Sequence, residues 1–384
     1  MKYKLGDICE IVSGSTPKTG IPEYWDGDKK WITPAEINEE SYIITDSARK
    51  LTELGVKKTG LSPFPEGTVI LSSRAPIGKV AIAGCEMYCN QGFKNLICSE
   101  KINNRYLYWF LKGNTEFLNS LGRGATFKEV SKQIVSNIEI NVPSIAQQEQ
   151  AAIQLETANA IIRFRKQQLQ KLDELVKARF VELFGDPFIE DDRYPRVPLG
   201  SLAEVGSSKR IFEKEYVSEG IPFYRTKEIV ELSKGNRITT ELFITKERYD
   251  EIRSEYGVPQ KGDLLISAVG TIGVIWIVDG KNDFYFKDGN LLRVSATEKF
   301  VPEYLKHLLE ALISAYKSEM SSGTAYAALT ISALKEMMVY DVPHAEQEQF
   351  ATFVEQADKS KVAVQKALDK AQLLLDSLMQ KYFG

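Results

Sequence analysis

The sequence predicts an α+β fold: two similar mixed α/β domains, separated by two long antiparallel helices that form a coiled coil, with an internal pseudo-two-fold repeat. Two observations predict it. The second half of the 384-residue chain restates the first at an offset of about 195 to 199 residues, and each half ends in a long heptad pattern without Pro or Gly. The predicted domains are a globular domain at 1–143, a helix at 144–185, a second globular domain at 186–343 and a C-terminal helix at 344–384.

The duplication is visible in Gly, Pro and Gln residues that recur in the same order. Leu5-Gly6 corresponds to Leu199-Gly200, and Ile77-Gly78 corresponds to Ile272-Gly273. Each half also contains a Val-Pro step followed by a Gln-Glu-Gln helix start, namely Val142-Pro143 with Gln148-Glu149-Gln150 and Val342-Pro343 with Gln347-Glu348-Gln349. Two equal halves of one chain tend to pack about a pseudo-two-fold axis, as two identical subunits would.

Apolar periodicity predicts the secondary structure of each half. Mostly apolar residues recur every seven positions in two stretches, as in a heptad repeat. They are Leu155, Ile162, Leu169, Val176 and Leu183 in the first stretch and Val354, Lys361, Leu368, Leu375 and Tyr382 in the second. An ordinary core helix is the alternative reading of such a stripe, but the length and the duplication favour two helices packed as an antiparallel coiled coil. Short β-branched runs predict strands at 68–71, 79–82, 263–267 and 274–278.

Composition excludes several classes of protein. Lys and Arg total 49 against 52 Asp and Glu, a net charge of −3, whereas a protein that coats nucleic acid without specificity usually carries a strong basic excess. No apolar stretch is long enough to span a membrane and no leader peptide is evident, so a cytoplasmic location is expected. The 4 cysteines are expected to be reduced core residues, and with only 2 histidines no metal site is expected.

Searches for catalytic motifs are negative. The sequence contains no phosphate-binding G-x-x-x-x-G-K-[ST] loop, no dinucleotide fingerprint and no Asn-Pro-Pro-Tyr segment of the kind that amino-methyltransferases use. Asp28-Lys29-Lys30 fits only a fragment of a nuclease motif, and no acidic partner stands at a suitable distance. The chain is therefore predicted not to be an enzyme, with no catalytic, cofactor-binding or metal-binding residue.

Candidate binding residues of the first half lie in glycine-punctuated loops that carry cations, hydroxyls and amides. Such groups contact phosphates, and an arginine or amide can also read the edges of guanine or adenine. The alternatives are plain surface turns, a solvated basic face and an arginine paired with a local carboxylate. The predicted DNA-binding residues are Thr16, Lys18, Thr19, Trp31, Ser72, Ser73, Arg74, Lys79, Gln91, Lys94, Arg123, Thr126 and Lys128.

The second half keeps the framework glycines and strands but changes the residues at the loop tips. Arg74 corresponds to Val269, Lys79 to Val274 and Gln91 to Asp288, which suits two readers of different sequences built on one scaffold. The predicted DNA-binding residues of this half are Lys209, Arg210, Arg225, Lys227, Ser267, Lys287, Asp288, Asn290, Thr324 and Tyr326.

The whole chain resembles the specificity subunit of type I restriction-modification systems. The segments that carry the resemblance are Gly14-Ser-Thr-Pro, Tyr24-Trp25-Asp26-Gly27, Trp31-Ile32-Thr33, Gly78-Lys79-Val80 and Pro143-x-x-x-Gln-Gln-Glu-Gln. The second half departs from the family pattern, since Val205-Gly-Ser-Ser-Lys209 replaces Gly-x-Thr-Pro.

This resemblance implies that each globular domain is a target-recognition domain for one half of a bipartite double-stranded DNA target. It implies that the helices fix the nonspecific spacer between the halves. It also implies two modification subunits, which carry S-adenosylmethionine and methylate adenine, and two ATP-dependent restriction subunits as partners.

Two other functions stay open at this point. The chain could be a protein–protein bridging scaffold whose globular domains read no bases, or it could itself be a methyltransferase. Binding that falls steeply with salt and prefers one bipartite sequence distinguishes a DNA reader from a bridge. Cofactor binding by the isolated chain would indicate the methyltransferase.

Overall fold

The computed structural model describes residues 1–124, 128–189, 193–295, 299–320 and 328–384. The chain folds into two compact units, one formed by Met1–Lys166 with Lys366–Gly384 and the other by Gln167–Gln365. The predicted boundaries separate the globular domains from the helices. In the structure, each compact unit instead includes a segment of the first long helix and a segment of the second. No helix in the described ranges is long and apolar enough to cross a membrane.

The first unit contains ten of the named strands and the start of the first long helix. Its strands are β1 Lys2–Lys4, β2 Cys9–Val12, β3 Trp25–Ile32, β4 Ile43–Ile44, β5 Arg49–Leu51, β6 Val69–Leu71, β7 Val80–Ala83, β8 Tyr88–Cys89, β9 Asn95–Cys98 and β10 Glu139–Asn141. Its helices are α1 Leu5–Ile8, α2 Glu53–Thr59, α3 Asn104–Gly113, α4 Thr115–Ser120, α5 Lys132–Ser136, the first part of α6 Ile145–Phe184 and the last part of the second long helix, His344–Phe383.

The strands of the first unit form one larger sheet and two small ones. The larger sheet has the order β2-β9-β6-β7-β4, and the small sheets are β5-β3-β8 and β1-β10. Every residue of β6 and β7 is buried, which explains why these strands read as unbroken apolar runs in the sequence. They confirm the strands predicted at 68–71 and 79–82.

The second unit repeats this arrangement. Its strands are β11 Arg196–Pro198, β12 Val205–Gly206, β13 Ile221–Tyr224, β14 Phe243–Ile244, β15 Leu264–Ser267, β16 Ile275–Ile277, β17 Tyr285–Phe286, β18 Leu291–Val294 and β19 Met338–Tyr340. Its helices are α7 Thr226–Ser233, α8 Lys246–Glu255, α9 Pro302–Met320, α10 Ile331–Glu336, the end of α6 and the start of α11 His344–Phe383.

The sheet topologies of the two units correspond, except that β4 at the edge of the larger sheet has no counterpart among the described strands of the second unit. The second unit has sheets of order β12-β18-β15-β16, β14-β13-β17 and β11-β19. The strand β3 pairs antiparallel with β5 and parallel with β8, and β13 pairs in the same way with β14 and β17. The duplication read from the sequence is therefore a duplication of structure.

The first long helix follows the predicted seven-residue burial pattern. The positions Leu155, Ile162 and Val176 of α6 are buried, while most of the residues between them are exposed. Inside the second unit, Asp173 forms an ion pair with Lys361 at 2.7 Å, and Phe180 further along α6 packs on Phe350, nearer the start of α11. Moving forward along α6 therefore means moving back along α11, so these segments pack antiparallel.

A buried glutamine joins each long helix to the sheet domain before it. The Gln148 side chain accepts a hydrogen bond from the Asn103 backbone N–H at 2.8 Å and donates to the carbonyls of Lys101 and Pro143. The Gln347 side chain makes the same three bonds, to Val301 N–H and to the carbonyls of Lys299 and Val342. The repeated Gln-Glu-Gln segment thus has a structural role, because this glutamine pairs backbone groups that would otherwise be buried without partners.

Candidate nucleic-acid interface

Four loops of the first unit meet on one surface. The Ser73 N–H donates to the Gly92 carbonyl at 2.7 Å, and the Ser73 carbonyl accepts from Val130 N–H at 2.9 Å. The Ser15 N–H donates to the Cys89 carbonyl at 3.0 Å, which ties in the glycine-rich loop at 14–20. The loops 14–20, 72–79 and 90–94 and the loop ends at 123–124 and 128–129 are called the first loop cluster below. Residues predicted from separate stretches of sequence therefore come together.

An ion-paired group occupies the centre of the first loop cluster. The Glu129 carboxylate accepts from Arg74 Nε at 2.9 Å and from Lys94 Nζ at 3.1 Å. Partial burial acts to raise the pKa of Glu129, but the hydrogen bonds and charges of Lys94 and Arg74 outweigh it and keep that pKa below its ordinary value. The Arg74 side chain remains 44% exposed, so it is accessible from solvent although it is ion-paired.

The structure corrects five of the predicted contact residues, because their side chains are buried. They are Trp31, Ser72, Ser73, Lys94 and Ser267.

Two of these five are serines that hold their own loops. The Ser72 hydroxyl donates to the Pro76 carbonyl at 2.8 Å and accepts from Lys79 N–H at 2.9 Å. Ser267 repeats this with the carbonyl of Thr271 and the N–H of Val274. Each of these serine hydroxyls, at the end of a buried strand, therefore makes its hydrogen bonds within its own loop.

The other three corrected residues also bind within the protein. The Trp31 indole N–H donates to the Ser15 carbonyl at 3.1 Å. The Trp31 ring packs edge-on against the Trp25 ring, with 5.1 Å between the two ring centres. Lys94 Nζ lies 3.3 Å from the Ser73 hydroxyl as well as near Glu129. These side chains position the loops and do not face solvent.

The remaining predicted residues of the first half lie at or near the surface. The Thr16 hydroxyl bonds the Gln91 amide oxygen at 2.6 Å, and Lys79 Nζ donates to the Pro34 carbonyl at 3.0 Å. Thr16, Lys18, Thr19, Arg74, Gln91, Arg123 and Lys128 are exposed, and Lys79 is half-buried. Thr126 lies outside the described residues, as do Thr324 and Tyr326 of the second half.

A matching group of loops forms in the second unit. The Ala268 N–H donates to the Asn290 carbonyl at 2.8 Å, and the Ala268 carbonyl accepts from Leu329 N–H at 2.9 Å. The Gly289 N–H donates to the Ser207 hydroxyl at 3.3 Å. The loops 206–212, 268–273 and 287–290 with residues 328–329 are called the second loop cluster. Its framework bonds through Ala268 correspond to those through Ser73.

The predicted polar residues of the second half divide into paired and open groups. Arg210 Nε donates to the Asp288 carboxylate at 2.7 Å, and Arg225 forms an ion pair with the buried Glu228 at 3.1 Å. Lys209 lies over the Tyr256 ring at 4.6 Å. Lys227 is exposed, whereas Lys287 and Asn290 are half-buried. The Asp288 carboxylate already accepts from Arg210, so reading cytosine with it requires that pair to be shared or opened.

Sequence reasoning missed Glu129 and Arg49. Glu129 stands beside the predicted Lys128, but it lies 55 positions after Arg74 in the sequence, so their pairing is not visible there. Arg49 lies in β5, outside every loop that the sequence singled out. Its guanidinium carbon lies 3.5 Å from the centre of the Trp25 ring. In the described part of the chain, no cluster of three or more His, Cys, Asp and Glu side chains is placed to hold a metal ion.

Comparison with known proteins gives a consistent family. Residues 1–174 and 193–373 each match the type I restriction modification DNA specificity domain. The type I restriction enzyme MjaIX specificity subunit of Methanocaldococcus jannaschii is 30% identical over 404 residues, covering 98% of this chain and 91% of that protein. A putative type I restriction enzyme specificity subunit of Haemophilus influenzae is 27% identical over 289 residues, covering 74% and 71%.

Solved structures show the same fold. The S subunit of a type I restriction-modification system from M. genitalium covers 100% of this chain and 96% of its own, with a TM-score of 0.59 at 15% identity. A chain from a study of complex assembly and conformational transition of the type I R-M system gives a TM-score of 0.61 at 18% identity, covering 100% and 97%. With a duplicated domain match across nearly the whole sequence, the chain belongs to the family of type I restriction-modification DNA specificity subunits.

Proposed function

We propose that each globular domain reads one part of a bipartite double-stranded DNA target, through the loop cluster that it carries. The strongest support is that the two loop clusters share one backbone framework but carry different side chains at the loop tips. The backbone bridge between Arg74 and Glu129 in the first cluster corresponds to the bridge between Val269 and Ala328 in the second. One unit presents an ion pair where the other presents small apolar side chains. Two readers of different sequences need this combination of a constant scaffold and variable tips.

We also propose that the chain has no catalytic activity and binds no cofactor itself. In this proposal two modification subunits that bind S-adenosylmethionine dock on the long helices, and the helices set the spacing between the two parts of the target. Two ATP-dependent restriction subunits complete the complex, which works in the cytoplasm on host and incoming DNA. The net charge of −3 fits a subunit that binds DNA together with partner subunits rather than alone.

Salt-dependent DNA binding tests the reader against a protein–protein bridge. The complex of this chain with its modification subunits is titrated with a gapped target duplex and with a scrambled duplex, over a series of salt concentrations. A reader binds the target about a thousand-fold or more tightly than the scrambled duplex, and both affinities fall steeply with salt. Sequence-blind binding that salt does not change would contradict the proposal and favour the bridging scaffold.

Cofactor binding tests the assignment of chemistry to the partners. Equilibrium titration with S-adenosylmethionine is run on this chain alone and on the assembled complex. Saturable binding by the complex and none by the chain is expected. Saturable binding by the chain alone would contradict the proposal and indicate a methyltransferase.

A further inference from the structure

Arg49 has the features of a ligand-binding arginine in the first unit. The guanidinium of Arg74 binds Glu129 and that of Arg105 binds Glu156. Arg49 instead stacks on Trp25, with 3.5 Å between its guanidinium carbon and the ring centre, and it lies 5.8 Å from the centre of the Trp31 ring. Within the described ranges no carboxylate pairs with it, and the residue is exposed.

The strand register explains how Arg49 is held. In the β3–β5 pair, Arg49 stands directly opposite Trp31, and directly opposed residues project from the same face of a sheet. The next residue, Lys50, projects from the other face, where its ammonium pairs with Asp46 at 3.4 Å. The tryptophan ring covers one face of the planar guanidinium and leaves its N–H edge free, so the donors are fixed in direction before any ligand arrives.

The same two tryptophans hold the loop at 14–20. The Trp25 indole donates to the Lys18 carbonyl at 3.3 Å, and the Trp31 indole donates to the Ser15 carbonyl at 3.1 Å. Trp25 therefore contacts both Arg49 and the loop that carries the exposed Lys18. This shared contact places Arg49 beside a loop of the first loop cluster.

We propose that Arg49 is a DNA-contacting residue of the first target-recognition domain, aligned by its stack on Trp25. This rests on the proposed function. The ligand chemistry is a pair of adjacent acceptor atoms, which the planar fork of arginine matches and a lysine does not. In DNA such a pair is offered by a backbone phosphate or by O6 and N7 of guanine.

Three variants of the full chain, each assembled with the modification subunits, test this inference. Arg49→Ala removes the fork, and Arg49→Lys keeps the charge without the fork. Lys50→Ala is the matched control on the same strand. We expect Arg49→Ala to bind the target duplex about ten- to a hundred-fold more weakly than wild type, Arg49→Lys to recover only part of that loss, and Lys50→Ala to stay within about two-fold.

The salt series distinguishes the two sources of acceptor atoms. Loss of a phosphate contact weakens all duplexes alike and lowers the slope of log K against log salt by about 1. Loss of a guanine contact relaxes the preference at one position in the first part of the target. Thermal unfolding of each variant reports separately on the role of the stack in stability.

Target binding by Arg49→Ala within two-fold of wild type would overturn the inference. A folded Arg49→Lys complex that binds as wild type does would also overturn the role of the fork. If wild-type complex itself shows no preference for a gapped target, the proposed function fails first, so the two failures are distinguishable.

Discussion

At the scale of single residues, the structure separates loop-building side chains from those free to reach DNA. Ser72 and Ser267 were predicted as contacts because hydroxyls in glycine-punctuated loops suit phosphates, yet both are fully buried and bonded within their own loops. Sequence reasoning could place these residues at loop tips. It could not determine exposure, because the partners that bury a loop residue come from distant segments, as Glu129 does for Arg74.

Arg74 and Lys128 are expected to differ when each is replaced by alanine. Arg74 is fixed by Glu129 at the centre of its loop cluster, so Arg74→Ala should relax the preference for one base, a cost of about 1–3 kcal/mol. Lys128 is exposed at the edge of a glycine loop, so Lys128→Ala should weaken all sequences alike. The measurement is the affinity of the assembled complex for single-base variants of the target. An unchanged base preference in Arg74→Ala would mean that this arginine only closes its loop.

His307 should make the stability of the second unit depend on pH. Burial lowers the pKa of this histidine below 6.5, although its ring nitrogen bonds the Glu303 carbonyl at 2.8 Å. A lowered folded pKa means that the stabilisation is complete above pH 6.5 and is lost as the pH falls through the folded value. One proton limits the slope to about 1.4 kcal/mol per pH unit.

Thermal unfolding of His307→Asn between pH 8 and pH 5 measures this effect. The variant keeps a polar group near the Glu303 carbonyl and carries no titrating ring, so the difference in stability from wild type should shrink as the pH falls. A constant difference between wild type and His307→Asn across this range would contradict the prediction.

At the scale of elements, prediction succeeded where a pattern was long. The helices α6 and α11 extend over 40 residues each, and many heptads specify one buried stripe. The buried strands β6 and β15 were found because a glycine and one polar residue precede a run of three apolar residues in each half. Strands of two residues, such as Ile43–Ile44 and Phe243–Ile244, have no periodicity of their own and depend on the neighbours with which they pair.

The buried glutamines should stabilise the attachment of each long helix. Gln148→Ala or Gln347→Ala leaves buried backbone groups without partners, at about 1–3 kcal/mol for each group left unpaired. Chemical denaturation of each variant measures the loss. The matched controls are Gln150→Ala and Gln349→Ala, which change the exposed glutamine two residues later and should cost less than about 0.5 kcal/mol. Equal effects of the buried and exposed substitutions would contradict this role.

At the scale of the whole molecule, the duplication was the strongest signal in the sequence. It predicted two similar domains because glycines such as Gly78 and Gly273 recur at equivalent strand ends, where both have left-handed backbone with φ of 91° and 85°. The matching sheet orders of the two units confirm this. The bases that each domain reads could not be predicted, since they depend on the directions of side chains such as Arg74 and Arg210 rather than on the repeated framework.

An insertion of four residues in α6 tests the proposed role of the helices. Four residues change both the length of the helix and the register of its heptads. We expect the methylated motif to keep its two specific parts and to acquire a different gap between them, or methylation to be lost if the register change prevents docking. The measurement is the gap in the motif mapped on host DNA. An unaltered gap would show that the helix does not set the spacing.

The most direct test of the central claim is a map of methylated adenines in host DNA. The chain is co-expressed with its modification subunit, and the map is compared with that of cells lacking only this chain. The account predicts a gapped two-part motif that is methylated only when the chain is present. Methylation that is independent of the chain, or a motif without a gap, would contradict the claim that the two domains read two parts of one target.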